Sequence, residues 1–184
     1  ETGSIHIKDC PKLENIDSLQ TLRNLEKVRI AHCPRLTSTL NIAEMESIKS
    51  VHFARTPLRV VGISGHPNLT QLSLEHTPNA QVPEFISGMV LRELRLVGNV
   101  TSESIQFEED CIVEKLNISD NALLHTVKGL ELCPYLQTLE LDNIHCLKEI
   151  GNLPISLQRL GLENLKISSI ANFPEGSLMR EVYL

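Results

Sequence analysis

The stretch Leu91-Arg92-Glu93-Leu94-Arg95-Leu96-Val97-Gly98-Asn99 decides the fold. Its leucines fall at the first, fourth and sixth positions, and an asparagine follows at the ninth. Leu94 and Leu96 lie two apart, the period of a β-strand, so both point into a core while Glu93, Arg95 and Val97 point out. One such stretch carries little weight alone. Its recurrence carries the argument.

The pattern recurs on both sides. Before it stand Leu25-x-x-Val28-x-Ile30, Ile48-x-x-Val51-x-Phe53 and Leu69-x-x-Leu72-x-Leu74. After it stand Val113-x-x-Leu116-x-Ile118, Leu136-x-x-Leu139-x-Leu141, Leu157-x-x-Leu160-x-Leu162 and Met179-x-x-Val182-x-Leu184. Ile5-His6-Ile7 is a partial copy. Successive first positions are 23, 21, 22, 22, 23, 21 and 22 residues apart, so the step never strays by more than one from 22. A unit this short cannot bury its own apolar edge, and stacking on its neighbours does so for all of them at once.

Through these motifs, with the full L-x-x-L-x-L-x-x-N template met by Leu91–Asn99, the chain resembles the leucine-rich-repeat superfamily in its short-repeat form over nearly all its length. The resemblance implies an α/β solenoid, a horseshoe with about nine short parallel strands on the concave face. Its convex segments would be irregular or 3₁₀. Ser4-Ile5-His6-Ile7-Lys8-Asp9-Cys10-Pro11-Lys12-Leu13 is similar to the repeats of plant intracellular immune receptors, which carry a cysteine–proline corner. Asn121-x-Leu123-x-x-x-Val127-x-Gly129-Leu130 is similar to the short repeats of many regulatory scaffolds.

Composition agrees with one repeat domain over residues 1–184. Leucine supplies 29 residues and tryptophan none, which suits a core of equal aliphatic rungs. A net charge of −6 argues against a general nucleic-acid or anionic-membrane binder, which needs a basic face. No apolar run approaches the roughly 20 residues that span a bilayer. Glu1-Thr2-Gly3 resembles the remnant left by a secretory expression vector after signal cleavage, so residues 1–3 are set outside the natural sequence. Neither end shows a polar capping unit, which reads as a fragment.

Corners punctuate the units. Cys10-Pro11, Cys33-Pro34, Thr56-Pro57 and Thr77-Pro78 occupy one corner of four successive units, where proline ends the strand. Return segments such as Leu13, Ile16, Leu19 and Leu22 have irregular spacing, which predicts 3₁₀ turns and extended pieces. The units holding Pro83-Glu84-Phe85-Ile86-Ser87-Gly88 and Glu108-Glu109-Asp110 depart most from the rest. Cys10 and Cys33 take the inward corner position that Asn99 holds. Neighbouring parallel strands lie about 4.8 Å apart and a disulfide spans about 4.4–6.8 Å, so these two are either a bridge or two buried thiols. Cys111 and Cys133 each lie 15 residues past a last strand position and form a second disulfide candidate. In late units Ile144 and Leu165 replace the corner asparagine, which predicts loosened or rebuilt corners.

No phosphate-binding glycine loop, H-E-x-x-H helix, G-x-S-x-G elbow or C-x-x-C pair occurs. Adjacent pairs such as His145-Cys146 put the two side chains on opposite faces, whereas a nucleophile and its base need one face. The expectation is therefore a non-enzymatic domain with no cofactor and no metal. His6, His32, His52 and His76 project towards one half of the sheet and read as surface histidines.

Register turns the sequence into a surface. The central column reads His6, Arg29, His52, Ser73, Arg95, Asn117, Glu140, Gly161, Tyr183. The column before it reads Ser4, Lys27, Ser50, Gln71, Glu93, Lys115, Thr138, Arg159, Glu181. The column after it reads Lys8, Ala31, Ala54, Glu75, Val97, Ser119, Asp142, Glu163. Its basic start and acidic finish suit a protein partner of complementary charge. Candidate ligand-binding residues are Arg29, His52, Arg55, Glu75, Glu93, Arg95, Asn117, Glu140, Asp142 and Tyr183.

Three sequons occur, at Asn68, Asn99 and Asn117. Register puts Asn68 on an exposed bend, Asn117 in the central column and Asn99 inside a corner, so glycan candidates are Asn68 and Asn117. Vector-like N-terminus, sequons and cysteines point to a secreted or cell-surface ectodomain binding a protein ligand through the concave sheet. Cysteine–proline corners and missing caps point instead to an intracellular scaffold or plant-type immune-receptor repeat domain.

Overall fold

A computed structural model describes residues 3–63, 66–80, 85–86, 88, 90–170 and 173–184. Residues Pro83, Glu84 and Ser87 of the most divergent unit lie outside the described residues, as do Glu1 and Thr2 of the vector-like start. The chain winds as a parallel-strand β-solenoid of about 8 turns, with about 22 residues to a turn and almost no helix.

One wall is a nine-stranded, all-parallel sheet built from the motif strands in chain order: Gly3–Lys8, Leu25–Ala31, Ser50–Ala54, Gln71–Glu75, Val90–Val97, Ile112–Ser119, Thr138–Asp142, Arg159–Glu163 and Glu181–Tyr183. Each pairs with the next turn's strand, so every connection is a right-length crossover to a parallel neighbour. The three columns read from the sequence match the backbone pairing position for position, but in the third column Ala31, Ala54, Val97 and Ser119 are buried and offer no surface, a correction to the outward placement of Val97. His6, Arg29, His52, Ser73, Arg95, Asn117, Glu140, Gly161 and Tyr183 are successive partners across the central line. The pairing follows because strand side chains alternate, and a slip of one residue would turn each pair of leucines out to water.

Inward positions form one continuous core. Val28, Ile30, Val51, Phe53, Leu72, Leu74, Leu94, Leu96, Leu116, Ile118, Leu139, Leu141 and Leu160 are all at most 3% exposed. The return segments face them with Leu40, Val60, Ile105, Phe107, Val127 and Leu130. Truncating any of these to alanine in so close-packed an interior costs about 2–5 kcal/mol.

The return segments are the expected 3₁₀ turns and extended pieces, but the near absence of helix corrects the α/β class. No α-helix occurs among the described residues; the helical pieces are 3₁₀ turns at Asp17–Thr21, Ile42–Glu44 and Leu130–Leu132. Between them run short parallel ladders. Phe85–Ile86, Ser104–Phe107, Thr126–Lys128 and Glu149–Ile150 form a four-stranded back sheet, and Thr39–Asn41 pairs with Arg59–Val61. Ser104–Phe107 buries Ile105 and Phe107 and exposes Ser104 and Gln106, the alternation of a strand. Two to four residues leave no room for a helical repeat, whereas pairing with the adjacent turn satisfies the backbone at once. Gly129 enables this wall. Its φ is +77°, and an added Cβ would lie 2.0 Å from the carbonyl oxygen of Phe107.

A shared backbone feature sits at the corner after each front strand. Asp9, His32, Arg55, His76, Gly98, Asp120, Asn143 and Asn164 all take a left-handed conformation, with φ between +48° and +63°. Most are residue types that tolerate this region best. Seven of them still donate their backbone N–H to the next turn, as from Asp9 to Ala31, His32 to Ala54 and Asn143 to Glu163. The ladder therefore continues through the bend. Immediately beyond, a turn closes from the N–H of residue i+3 to the corner carbonyl, at Cys10–Leu13, Cys33–Leu36, Thr77–Ala80, Asn121–Leu124 and Ile144–Leu147. Pro11, Pro34 and Pro78 stand at the second position of that turn, where their fixed φ is already correct.

The inward corner position is an internal polar ladder at mid-chain. Asn121 accepts from the N–H groups of Asn99 (2.9 Å) and Val100 (2.8 Å) and donates to the carbonyls of Ser119 (2.7 Å) and Leu96 (3.1 Å). Asn99 accepts from the Thr77 N–H at 3.1 Å and donates to the Thr77 hydroxyl. Earlier corners use thiols, with Cys33 Sγ donating to Ala31 and Cys10 Sγ to Lys8. At the late corner Ile144 is completely buried, so this corner is rebuilt with an apolar plug instead of an amide.

Candidate functional site

The front face of the nine-stranded sheet carries the candidate binding columns. Charge changes along it in register. Over the three outward columns, the first three strands carry Lys8, Lys27 and Arg29 and no acid. The next three carry two of each sign, Glu75, Glu93, Arg95 and Lys115. The last three carry Glu140, Asp142, Glu163 and Glu181 against Arg159.

Local pairing differs between the two ends. In the middle, Arg95 Nε lies 3.0 Å from Glu75 Oε1, and the Ser73 hydroxyl donates to the same oxygen at 3.4 Å. Arg29 has no ion pair among the described residues. His52 sits between Arg29 and Ser73 in the central column. Burial holds its pKa below the ordinary value; Glu75 pulls it back up, while Arg29, Arg95 and His6 push it further down. Short side chains at Ser50 and Ser73 leave a hollow of about 240 Å³ here, bounded by Arg29, His52, Glu93 and Arg95.

At the acidic end a second, larger hollow of about 440 Å³ opens over Gly161, between Glu140, Asp142, Glu163 and Tyr183. Asn117 Nδ2 donates to Glu140 at 2.7 Å, and Asn164 Nδ2 donates to Asp142 at 3.2 Å. The Tyr183 hydroxyl donates to Glu181 at 3.1 Å, and that carboxylate is also 3.0 Å from Arg159. The hydrogen bond to Glu181, with that carboxylate's charge, raises the phenol pKa.

Nine of the ten candidate binding residues thus share one face. Arg55 does not. It occupies a left-handed corner beyond the strand, exposed at the rim, with its N–H bonded to Glu75. Along the same rim His32 Nδ1 lies 3.0 Å from Asp9, and Asn143 donates to Asp120. The two hollows were not singled out from sequence. Their signal was a small residue beside long charged ones in the columns, Ser50 and Ser73 at one hollow and Gly161 at the other.

Asn68 is exposed, its amide donating to the Glu46 carbonyl at 2.8 Å. Asn117 is half-buried on the face, and Asn99 is 3% exposed. All five cysteines are free thiols, the disulfide candidates included. Cys10 and Cys33 occupy register-matched corners, as do the two thiols of Cys111 and Cys133 on the back edge. Burial raises the Cys33 pKa. Between Cys111 and Cys133 a hydrogen bond lowers the former and raises the latter, so Cys133 keeps its proton. No group of three or more His, Cys, Asp or Glu side chains positioned to hold a metal occurs among the described residues. Nor is any described helix long and apolar enough to cross a membrane.

The chain matches no protein-family model, no curated protein sequence and no solved structure.

Proposed function

We propose that this chain is a leucine-rich-repeat recognition domain that binds a protein ligand through the front sheet, as part of a secreted or cell-surface ectodomain. It performs no catalysis. The observation that carries this reading is the charge polarity of an unbroken sheet face. Cations at Lys27 and Arg29 and acids at Glu140, Asp142 and Glu163 are separated by several turns on one rigid wall. Fixed charges of opposite sign at two ends orient a partner before contact and reject partners of the wrong pattern. The test is capture of binding proteins by the intact chain and by a double variant, Arg29→Glu with Arg95→Glu. Retained capture by the double variant refutes the reading.

The second reading is an intracellular scaffold or plant-type immune-receptor repeat domain. The cysteine–proline corners Cys10-Pro11 and Cys33-Pro34 favour it, as the feature this chain shares with repeats of that kind. Intact mass before and after glycosidase, with and without reduction, decides between the two. Protein secreted without glycan or disulfide supports the second.

A further inference from the structure

The hollow over Gly161 has properties that neither the backbone nor the core explains. Gly161 lies in the middle of a paired strand, yet its φ is not in the left-handed region. A Cβ built there meets only Glu140, at 3.6 Å and 4.0 Å, which is ordinary contact. Gly98 and Gly129 are different, since each has positive φ and a neighbour within 2.4 Å of the added atom. A strand interior prefers a side chain, so a glycine that nothing obliges leaves space at a cost in stability.

The charged side chains that line that space are all acidic. Glu140, Asp142 and Glu163 border it, and no lysine, arginine or histidine pairs with any of the three among the described residues. Amide donors from Asn117 and Asn164 orient Glu140 and Asp142 without neutralising them. Tyr183 closes one side, its hydroxyl tied to Glu181. The carboxylates do not converge as metal ligands. Spread around about 440 Å³ beside an aromatic ring, they fit an organic cation far better than a bare ion.

We propose that the Gly161 hollow is a socket for the arginine or lysine side chain of a protein partner. The proposal rests on the front face being the binding surface and names the part of the partner that this end receives. The cationic head lies between Glu140 and Glu163, over the peptide plane of Gly161, and its aliphatic stem runs along Tyr183.

The test uses a peptide, so it needs no identified partner. The peptide Ac-Ala-Arg-Ala-NH₂, its lysine form and its uncharged citrulline form are titrated into the isotopically labelled chain and followed by NMR. The expected result is a saturable shift of the Gly161 amide and the Tyr183 ring with the arginine or lysine peptide. The response should weaken at least tenfold with citrulline and fade with added salt. Gly161→Val should melt no lower than the parent chain and lose at least tenfold in peptide affinity. Glu163→Gln, at an exposed position, should weaken binding without touching the core.

Equal response to arginine and citrulline overturns the proposal, as does undiminished binding by a folded Gly161→Val. So do shifts produced by calcium chloride and not by either cationic peptide, which would make the hollow a metal site. The two failures separate. If the peptides fail while Arg29→Glu with Arg95→Glu still abolishes partner capture, only the socket is lost; if the double variant retains capture, the front-face reading goes first.

Discussion

Asn121→Leu probes the internal amide ladder directly. Asn121 holds two backbone N–H groups, those of Asn99 and Val100, at 2.9 and 2.8 Å, inside a corner where Asn99 is 3% and Asn121 1% exposed. Leucine keeps the branched shape, at the cost of bulkier methyl ends, and removes both acceptor contacts. Each buried donor left without a partner costs about 1–3 kcal/mol, so the pair should cost about 4 kcal/mol. The two carbonyls that receive the Asn121 amide suffer less, because the Ser119 carbonyl still accepts from the Gly98 N–H. For a domain of this size about 1 kcal/mol moves Tm by roughly 2–4 °C, giving a fall of about 8–16 °C in a thermal melt followed by circular dichroism. Asn99→Ala strands one backbone N–H, that of Thr77, along with the Thr77 hydroxyl, and should cost about half as much. Apolar volume is not itself an obstacle at this corner, since Ile144 fills the equivalent site one turn later while fully buried. A Tm for Asn121→Leu within about 3 °C of the parent, or a larger loss from Asn99→Ala than from Asn121→Leu, would refute hydrogen bonding as the cause.

Three glycines should respond differently to one substitution. Gly129→Ala forces a Cβ onto the Phe107 carbonyl at positive φ and should destabilise by more than about 2 kcal/mol; Gly98→Ala, which meets only the movable His76 ring, should cost about 1 kcal/mol; Gly161→Ala should gain about 0.5 kcal/mol, all read by urea titration. His52 gives a pH dependence. Its pKa is lowered in the folded state, so its contribution is complete above about 6.5 and is lost as pH falls from there through the folded value; His52→Gln should flatten the decline in Tm between pH 7.5 and 5. After passage through the secretory pathway, peptide mapping should find glycan at Asn68 and none at Asn99, whose amide is locked in the corner.

Much of the wall was legible because period-two alternation and a constant step are one-dimensional facts. Once Leu94 and Leu96 point inward and the step is 22 residues, each outward residue has only one neighbour on the next turn, and all three columns follow without coordinates. The corner role of Asn99 was legible for the same reason. The return side was legible only as 3₁₀ turns and extended pieces; its ladders were not, since strands of two to four residues are shorter than any period that could announce them. Their conformation is set by the backbone of the preceding turn, as where Thr126–Lys128 pairs with Ser104–Gln106.

The left-handed corner is not legible in the sequence because its residue types vary from Asp9 to Arg55 while their backbone angles do not. What they share is a position in space, one step past a paired strand, where the ladder must bend and still be satisfied. The Gly161 hollow is a similar case. In the sequence Gly161 is one member of a column. Whether its missing side chain was required by the backbone or left open as space depends on φ and on the distance to Glu140. By itself the sequence determined which residues face inward and which turn stacks on which, because solvent exclusion acts on every leucine alike. The bends, the back ladder and the depth of the surface were decided only in three dimensions, because each depends on hydrogen bonds and contacts between turns that no single turn can make alone.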